Sequence, residues 1–345
     1  MGLGFTFSVA SGGASKAFSR VSFVRDSRGW LLLSLIGCAV LQSQADALDP
    51  YALQILLLVA INIILATSLN FLIGETGQFS LCHAALMGVG AYAGAAFTVF
   101  GKSWQGVLTG VMGTTAGNGV FFFAALVISG LAAGAAGFLI GLPSLRLRGD
   151  YLAIVTLGFG EMVRVLFQNA SVVGGPRGLA GIPAFTNLFW AFGSVAVAVY
   201  VLSRLVRSTI GLGFHAVRDD EIAAEAMGIR TMRIKSIAFT VSAVFAGVAG
   251  CLWAHTIRYI SPDGFGFLRS IEIVVMVILG GMGSVVGSIF AAVLLTLLNE
   301  WLRDIEQYRV VGYAVLLILL MLLRPQGLLG GRLGWLPWRR RSSVS

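Results

Sequence analysis

The segment Ala52-Leu-Gln-Ile-Leu-Leu-Leu-Val-Ala-Ile-Asn-Ile-Ile-Leu-Ala-Thr-Ser-Leu-Asn-Phe-Leu-Ile73 is apolar along almost its whole length and carries no charged residue. A helix needs about 20 such residues to cross the roughly 30 Å of hydrocarbon in a bilayer. The segment meets that length. It therefore predicts a transmembrane helix, and the chain contains further segments of the same kind.

Apolar runs recur on both sides of that segment. The clear runs, with it included, are Trp30–Leu48, Ala52–Ile73, Ala84–Phe100, Val120–Leu142, Leu188–Leu205, Ile237–His255, Val285–Leu302 and Val310–Leu323. Two are weaker: Tyr151–Phe167 carries Glu161 and Arg164, and Ile271–Gly281 is too short to span unless its neighbours extend it. Counting both predicts an all-α, polytopic transmembrane bundle with about ten crossings. A re-entrant Ile271–Gly281 would change that topology.

The composition of the 345-residue chain favours a membrane protein and argues against a soluble one. It is 57% hydrophobic and 11% charged, whereas a soluble domain carries about 25% charged residues. The net charge of +9 does not indicate nucleic-acid binding, because the basic residues lie in short loops between apolar runs. The cysteines, Cys38, Cys82 and Cys251, have no metal or redox spacing, so we expect packing roles and neither a metal nor a cofactor.

The distribution of Lys and Arg predicts which loops face the cytoplasm. Most of these residues lie in alternate loops, which the positive-inside rule places inside. The predicted inner segments are 1–29, 74–83, 143–150, 206–236, 282–284 and the tail from Arg324. Both termini are therefore predicted to be cytoplasmic. We interpret the first apolar run as a retained helix and not a signal peptide, because residues 46–50 offer a poor cleavage site.

Residues 207–235 form a long polar segment between apolar runs. Within it, the spacing predicts a short helix from Arg218 to Gly228. Asp219 or Asp220 caps its start, and Gly228 suits the left-handed conformation that ends a helix. One side of this helix carries apolar residues at helical spacing, namely Ile222, Ala226 and Met227. The helix therefore has a docking face; the alternative is a connecting loop that happens to be helical.

This polar segment resembles a known family. Gly213-Phe-His-Ala-Val-Arg-Asp-Asp-Glu-Ile-Ala-Ala-Glu-Ala-Met-Gly-Ile229 is similar to the coupling loop of the branched-chain amino acid ABC transporter permease family, in particular its LivM-type subunit. The other matching stretches, in chain order, are Leu69–Ala85, Leu145–Glu161, Gly174–Pro183, Tyr259–Asp263, Ser270–Glu272, Gly280–Ser284 and Arg324–Leu328. The resemblance is collinear from about Ala52 to Leu329. The predicted organisation is a cytoplasmic N-terminal segment (1–29), a transmembrane permease domain (30–329, coupling loop 207–235) and a basic cytoplasmic tail (330–345).

The resemblance implies a transport subunit and not an enzyme. Its expected partners are two cytoplasmic ATP-binding subunits, a second, LivH-like permease and a periplasmic substrate-binding protein, in the bacterial inner membrane and without nucleic acid. The sequence has no Gly-x-x-x-x-Gly-Lys-Ser/Thr phosphate loop, in agreement with a separate motor. The resemblance assigns the contact with the motor to Arg218, Asp219, Asp220, Glu221, Ala223, Ala224, Glu225, Met227 and Gly228.

Two polar features are candidates for the substrate pathway. The interruption Gly74–His83 lies between apolar runs, so Gln78, Ser80 and His83 line the pathway if it sits at membrane depth. The alternative is an ordinary cytoplasmic turn with Gly74 as the helix C-cap. Glu161 and Arg164 share a helix face and can pair. Intramembrane charges suit a zwitterionic substrate, but a structural ion pair would explain them equally.

The leading functional hypothesis is an importer permease for branched-chain or related small amino acids. A permease of the same type for urea, short-chain amides or aromatic acids is the alternative within the class. An ion-coupled secondary transporter is the alternative outside it. Such a protein would carry coupling carboxylates at mid-membrane and inverted repeats, and only Glu161 offers such a carboxylate.

Overall fold

The computed structural model describes residues 42, 49–147, 149–301 and 327, and these are mostly helical. The helices are α1 (Pro50–Asn70), α2 (His83–Phe100), α3 (Lys102–Met112), α4 (Thr114–Ser144), α5 (Asp150–Asn169), α6 (Leu188–Val206), α7 (Thr209–Asp219), α8 (Glu221–Ala226), α9 (Thr231–Ile257), α10 (Phe267–Gly280) and α11 (Val285–Trp301). A π-helical turn, Phe71–Glu75, continues α1. Two short strands, β1 (Leu179–Ala180) and β2 (Tyr259–Ile260), pair antiparallel.

Six helices of the described residues are long and apolar enough to cross a membrane. They are Pro50–Glu75, His83–Phe100, Thr114–Ser144, Tyr151–Asn169, Leu188–Val206 and Thr231–Ile257, and Val285–Trp301 is a shorter apolar helix. The predicted helical membrane architecture is thus confirmed, including the weak candidate that carries Glu161 and Arg164. The predicted spans Trp30–Leu48 (apart from residue 42) and Val310–Leu323, and the segments 1–29 and 330–345, lie outside the described residues.

The other weak candidate, Ile271–Gly281, belongs to α10, which has 14 residues. At 1.5 Å per residue this helix is about 21 Å long, shorter than the hydrocarbon thickness. Its first turn lies beside the start of α2, where the Ser270 hydroxyl accepts a hydrogen bond from the Ala84 N–H at 3.3 Å. The turn after α10 reverses tightly, with Gly281 and Gly283 at φ of 99° and 82°.

One helix was not predicted from the sequence. The segment between Phe100 and Val120 was expected to be an outer loop, but it contains α3 and the first turns of α4. α3 is short, and three of its apolar side chains, Trp104, Val107 and Val111, are exposed. The hydropathy of α3 is too low for a spanning run, and for this reason the pattern of apolar runs does not predict this helix.

The centre of the bundle is a close contact among α2, α4 and α9, made possible by glycines. A Cβ atom on Gly90 of α2 would lie 2.2 Å from the Gly247 Cα of α9. A Cβ on Gly94 would meet the Ser129 hydroxyl of α4 at 2.3 Å. Small residues let helix backbones approach closely in a membrane, where apolar burial alone gives little driving force. The free thiols of Cys82 and Cys251 are buried in this core, as expected for packing residues.

We predict that Gly90→Ala destabilises the protein because the added methyl group must displace backbone and not a flexible side chain. Overpacking of this kind costs about 1–3 kcal/mol. Thermal unfolding of the detergent-purified protein measures it. Gly158→Ala is the matched control, since a Cβ there meets nothing within 4 Å. An equal fall in Tm for both variants would contradict the backbone-contact explanation.

Candidate functional site

The predicted coupling segment contains two helices, α7 and α8, and the predicted short helix corresponds to α8, Glu221–Ala226. Asp220 separates them with an extended backbone, φ −157° and ψ 110°. Its Oδ1 accepts hydrogen bonds from the N–H groups of Ile222 at 2.9 Å and Ala223 at 3.0 Å. The predicted short helix is therefore present as α8, while Arg218 and Asp219 belong to the end of α7. The Asp220 cap was correctly predicted: its side chain caps the start of α8, and its extended backbone ends α7.

The surface of α8 and its C-terminal turn carries exposed apolar groups. Ile222 is 68% and Met227 is 83% exposed. Ala223, Glu225 and Ala226 are exposed beside them, and Gly228 has the predicted left-handed conformation, φ 84°. Ala224, expected to fill a contact with the motor, is buried within this chain at 4% exposure. Ala224 is therefore not part of the exposed face of α8.

Two charged members of the predicted contact also turn toward their own chain. Glu221 accepts a hydrogen bond from Lys235 Nζ at 2.6 Å. Arg218 donates to the Gly74 carbonyl at 3.1 Å and pairs with Asp219 at 3.1 Å. These contacts fix α7 and α8 to the bundle. The exposed apolar face is thus presented by a segment that is anchored on its other side.

The segment 74–83 is not an exposed turn. The helical structure continues through Gly74 to Glu75, so Gly74 is not a C-cap, and the left-handed residue is Gly77 at φ 70°. The three predicted pathway residues here, Gln78, Ser80 and His83, are buried. His83 Nε2 lies 2.9 Å from the Ser68 hydroxyl of α1. Buried irregular backbone at this point agrees with a position at membrane depth.

Glu161 and Arg164 pair as their spacing predicts. Arg164 Nε donates to Glu161 Oε2 at 2.7 Å. The structure adds two partners that sequence reasoning missed, because Arg164 Nη1 and Gln168 Nε2 both donate to Asp263 Oδ1, at 2.9 and 3.0 Å. Gln168 lies one helical turn beyond Arg164, and this spacing could have indicated that the two side chains lie on one face and belong to the same group. Asp263 comes from the loop before α10, and no sequence signal connects it to α5.

The resulting charge cluster, Glu161, Arg164, Gln168 and Asp263, is partly exposed on a helix whose neighbouring face is apolar. The side chains of Glu161 and Arg164 are 35% and 28% exposed. Charges that face lipid are costly, whereas charges that line an aqueous path or face a protein partner are tolerated. The cluster contains both signs, so it offers partners for an ammonium group and for a carboxylate group.

An aromatic group lies next to the charge cluster. The Tyr92 ring of α2 stacks on Phe167, with ring centroids 4.2 Å apart, and meets Phe265 edge-on at 6.1 Å. Phe167 precedes Gln168 directly, and Phe265 follows Asp263 by two residues. The Tyr92 hydroxyl is buried and has no hydrogen-bond partner among the described residues. Apolar and charged surfaces therefore lie side by side at this point.

A third polar group lies beneath α7. His215 Nδ1 is 3.4 Å from Glu75 Oε2, and Arg218 Nη1 is 4.0 Å from the same oxygen. Burial lowers the pKa of His215, the nearby Arg218 guanidinium lowers it further, and Asp219 opposes both. The imidazole is therefore neutral at neutral pH. Across residues 49–147 and 149–301, no group of three or more His, Cys, Asp or Glu side chains is arranged to hold a metal ion.

The comparisons with known proteins agree on one family. The family described as branched-chain amino acid transport system / permease component matches residues 51–323. The chain is 38% identical over 307 residues to the high-affinity branched-chain amino acid transport system permease protein LivM of Escherichia coli (strain K12), covering 79% of this chain and 68% of that protein. The LivM protein of Salmonella typhimurium (strain LT2) is also 38% identical, over 78% of this chain and 68% of its own length.

A second type of permease is similar at lower identity. The high-affinity branched-chain amino acid transport system permease protein LivH of Escherichia coli (strain K12) is 26% identical over 77% of this chain and 90% of that protein. No solved structure matches the chain. The family match spans most of the described bundle, from the first residues of α1 to beyond α11. The chain therefore belongs to the branched-chain amino acid transport system permease family.

Proposed function

We propose that this chain is the transmembrane permease subunit of an ATP-binding-cassette importer for branched-chain amino acids. The observation that carries the proposal is the family match over residues 51–323, with 38% identity to LivM proteins that are named as branched-chain amino acid permeases. In this proposal the chain hydrolyses no ATP. Two cytoplasmic ATP-binding subunits supply the energy, a LivH-like permease completes the pathway, and a periplasmic binding protein delivers the substrate.

The proposed topology has about ten crossings in the inner membrane, with both termini in the cytoplasm. It is supported by contacts among three segments predicted to lie inside. Arg218 of segment 206–236 bonds to Gly74 of segment 74–83. The Gly283 N–H of segment 282–284 donates to Asn70 Oδ1, one turn before Gly74, at 2.8 Å. The meeting of these three loops supports their proposed position on one side of the membrane.

The proposed motor contact is the exposed face of α8 with its C-terminal turn. Ile222 and Met227 would enter an apolar groove of the ATP-binding subunit, and Ala223 would allow close approach. Asp219, Asp220 and Glu225 would orient the contact by charge. Closure of the ATP-binding subunits would then shift this anchored segment and reorient the bundle, as in other rigid-body transitions.

The proposed substrate contact is the charge cluster together with the aromatic group. Arg164 would bind the carboxylate of an amino acid, and Glu161 or Asp263 its ammonium group. The rings of Phe167 and Phe265 would pack against a branched aliphatic side chain. His83, Gln78 and Ser80 would lie further along the path toward the cytoplasm. This arrangement suits a zwitterion with an apolar side chain better than urea, which has neither charge nor apolar surface.

The direct test is transport by the complex in liposomes. The chain is co-purified with its ATP-binding subunits and partner permease, and the binding protein is added with labelled leucine or labelled urea. We expect ATP-dependent leucine uptake and little urea uptake. Uptake that persists without the ATP-binding subunits would favour an ion-coupled transporter, and preferential urea uptake would overturn the substrate assignment.

For the motor contact, we predict that Ile222→Asp reduces co-purification of the ATP-binding subunits about tenfold, as expected for loss of a buried apolar anchor. The helix itself should persist, because an acidic residue is favourable in the first turn. Val172→Asp is the control, since Val172 is 77% exposed in a loop predicted to lie outside. Wild-type co-purification of Ile222→Asp would remove α8 from the interface.

For the substrate contact, we predict that Arg164→Gln raises the KM for leucine uptake about tenfold or more, the range for losing a charge-assisted hydrogen bond. The matched control is Arg177→Gln, because Arg177 is an exposed arginine in the predicted outer loop that follows α5. If the ion pair is only structural, Arg164→Gln lowers the amount of folded protein and leaves KM unchanged. That result would exclude Arg164 from the pathway.

A further inference from the structure

The inner end of α1 is held by one side chain from the segment that faces the motor. Arg218, the penultimate residue of α7, donates from Nη1 to the Gly74 carbonyl at 3.1 Å. The same nitrogen lies 4.0 Å from Glu75 Oε2. The Arg218 side chain also packs against Gly77, where a Cβ would lie 3.3 Å from Arg218 Cγ. One guanidinium and its stem thus touch three points around the start of the loop 76–82.

Glu75 makes this contact more than a surface ion pair. It is 8% exposed, and a buried carboxylate is costly unless a cation and hydrogen bonds compensate it. Among the described residues, the basic groups within ion-pair distance are His215 and Arg218. His215 Nδ1 makes no hydrogen bond in this arrangement, and its ring is neutral. Arg218 is therefore the cation on which the charge of Glu75 depends.

The backbone that Arg218 holds is irregular and connects to two other parts of the bundle. Phe71–Glu75 is a π-helical turn, a feature that often marks functional sites in helices. Gly74 also abuts the turn between α10 and α11, since a Cβ there would lie 2.2 Å from the Gly283 nitrogen. After Glu75 the chain enters loop 76–82, and that loop leads to His83 in the buried core.

We infer that Arg218 is the positioning residue that transmits movement of the motor-facing segment to loop 76–82, through its contacts with the Gly74 carbonyl and the Glu75 carboxylate. The inference rests on the proposed function, because it requires a motor that moves α7 and α8. A shift of α7 cannot leave the end of α1 in place without breaking both contacts. If both contacts broke, the buried Glu75 carboxylate would be left without a charged partner among the described residues.

The alternative is that Arg218 only caps the end of α1. Basic side chains often satisfy the last carbonyls of a helix and contribute stability without any role in movement. The two explanations differ in what fails when Arg218 is changed. A cap affects how much protein folds, whereas a transmitting contact affects how much substrate moves for each ATP hydrolysed.

The experiment measures leucine uptake and ATP hydrolysis by the assembled complex in liposomes, for Arg218→Gln, Arg218→Lys, Glu75→Gln and the double variant Glu75→Gln/Arg218→Gln. We expect normal assembly with Arg218→Lys, which keeps a cation for Glu75. Leucine transported per ATP should fall about tenfold in Arg218→Gln, within the usual range for coupling between sites. The double variant should be no worse than Arg218→Gln alone, because Arg218→Gln already removes the contacts with both Gly74 and Glu75.

Arg233→Gln is the matched control, since Arg233 is exposed in the same segment and should keep wild-type coupling. Equal leucine-to-ATP ratios in Arg218→Gln and Arg233→Gln would overturn the inference. Reduced assembly of the Arg218 variants, with a normal leucine-to-ATP ratio in the complexes that form, would also overturn the inference. Arg218 would then act only as a cap at the end of α1. Failure of the wild-type complex to transport leucine with ATP would instead contradict the proposed function, so the two failures are distinguishable.

Discussion

Backbone that leaves the helical pattern inside a bilayer must find its hydrogen-bond partners in the protein, because hydrocarbon offers none. Loop 76–82 depends on this constraint. Its Leu81 N–H donates to the Thr156 hydroxyl at 3.0 Å, and the following Ala84 N–H donates to Ser270. These partners come from α5 and α10, which must therefore lie against the start of α2. The glycine contacts of α2 with α9 and α4 bring the helices close enough for this arrangement.

Two polar regions lie at different places in this bundle. Near the end of α5, charged side chains meet the loop before α10 and leave one flank of the bundle polar. Near the end of α1, the bond from Arg218 to Gly74 and the close approach of Gly74 and Gly283 join α7 to loop 76–82 and to the α10–α11 turn. α1 and α2 connect these regions through the contact between Ser68 and His83.

The features that follow from local sequence could be predicted, and those that follow from tertiary contacts could not. Spanning helices such as the one over Ala52–Ile73 could be predicted, because the length and hydropathy of an apolar run are sufficient to identify them. The Glu161–Arg164 pair follows from helical spacing alone. Asp263 reaches that pair only because the chain folds back toward α5 after α9, and no local sequence pattern predicts this tertiary contact. Similarly, the burial of Ala224 depends on how α8 packs against the bundle, which its Ala-rich sequence does not specify.

The two cysteines in the described part of the core have a practical consequence. Cys82 and Cys251 are both fully buried, and thiol reagents modify accessible thiolates. Maleimide probes should therefore leave both untouched in the folded protein. Once Cys38, which lies outside the described residues, is replaced, a single cysteine introduced at an exposed position can carry a fluorophore or spin label. In the conformation described, the two buried thiols therefore do not compete with an introduced cysteine for the label.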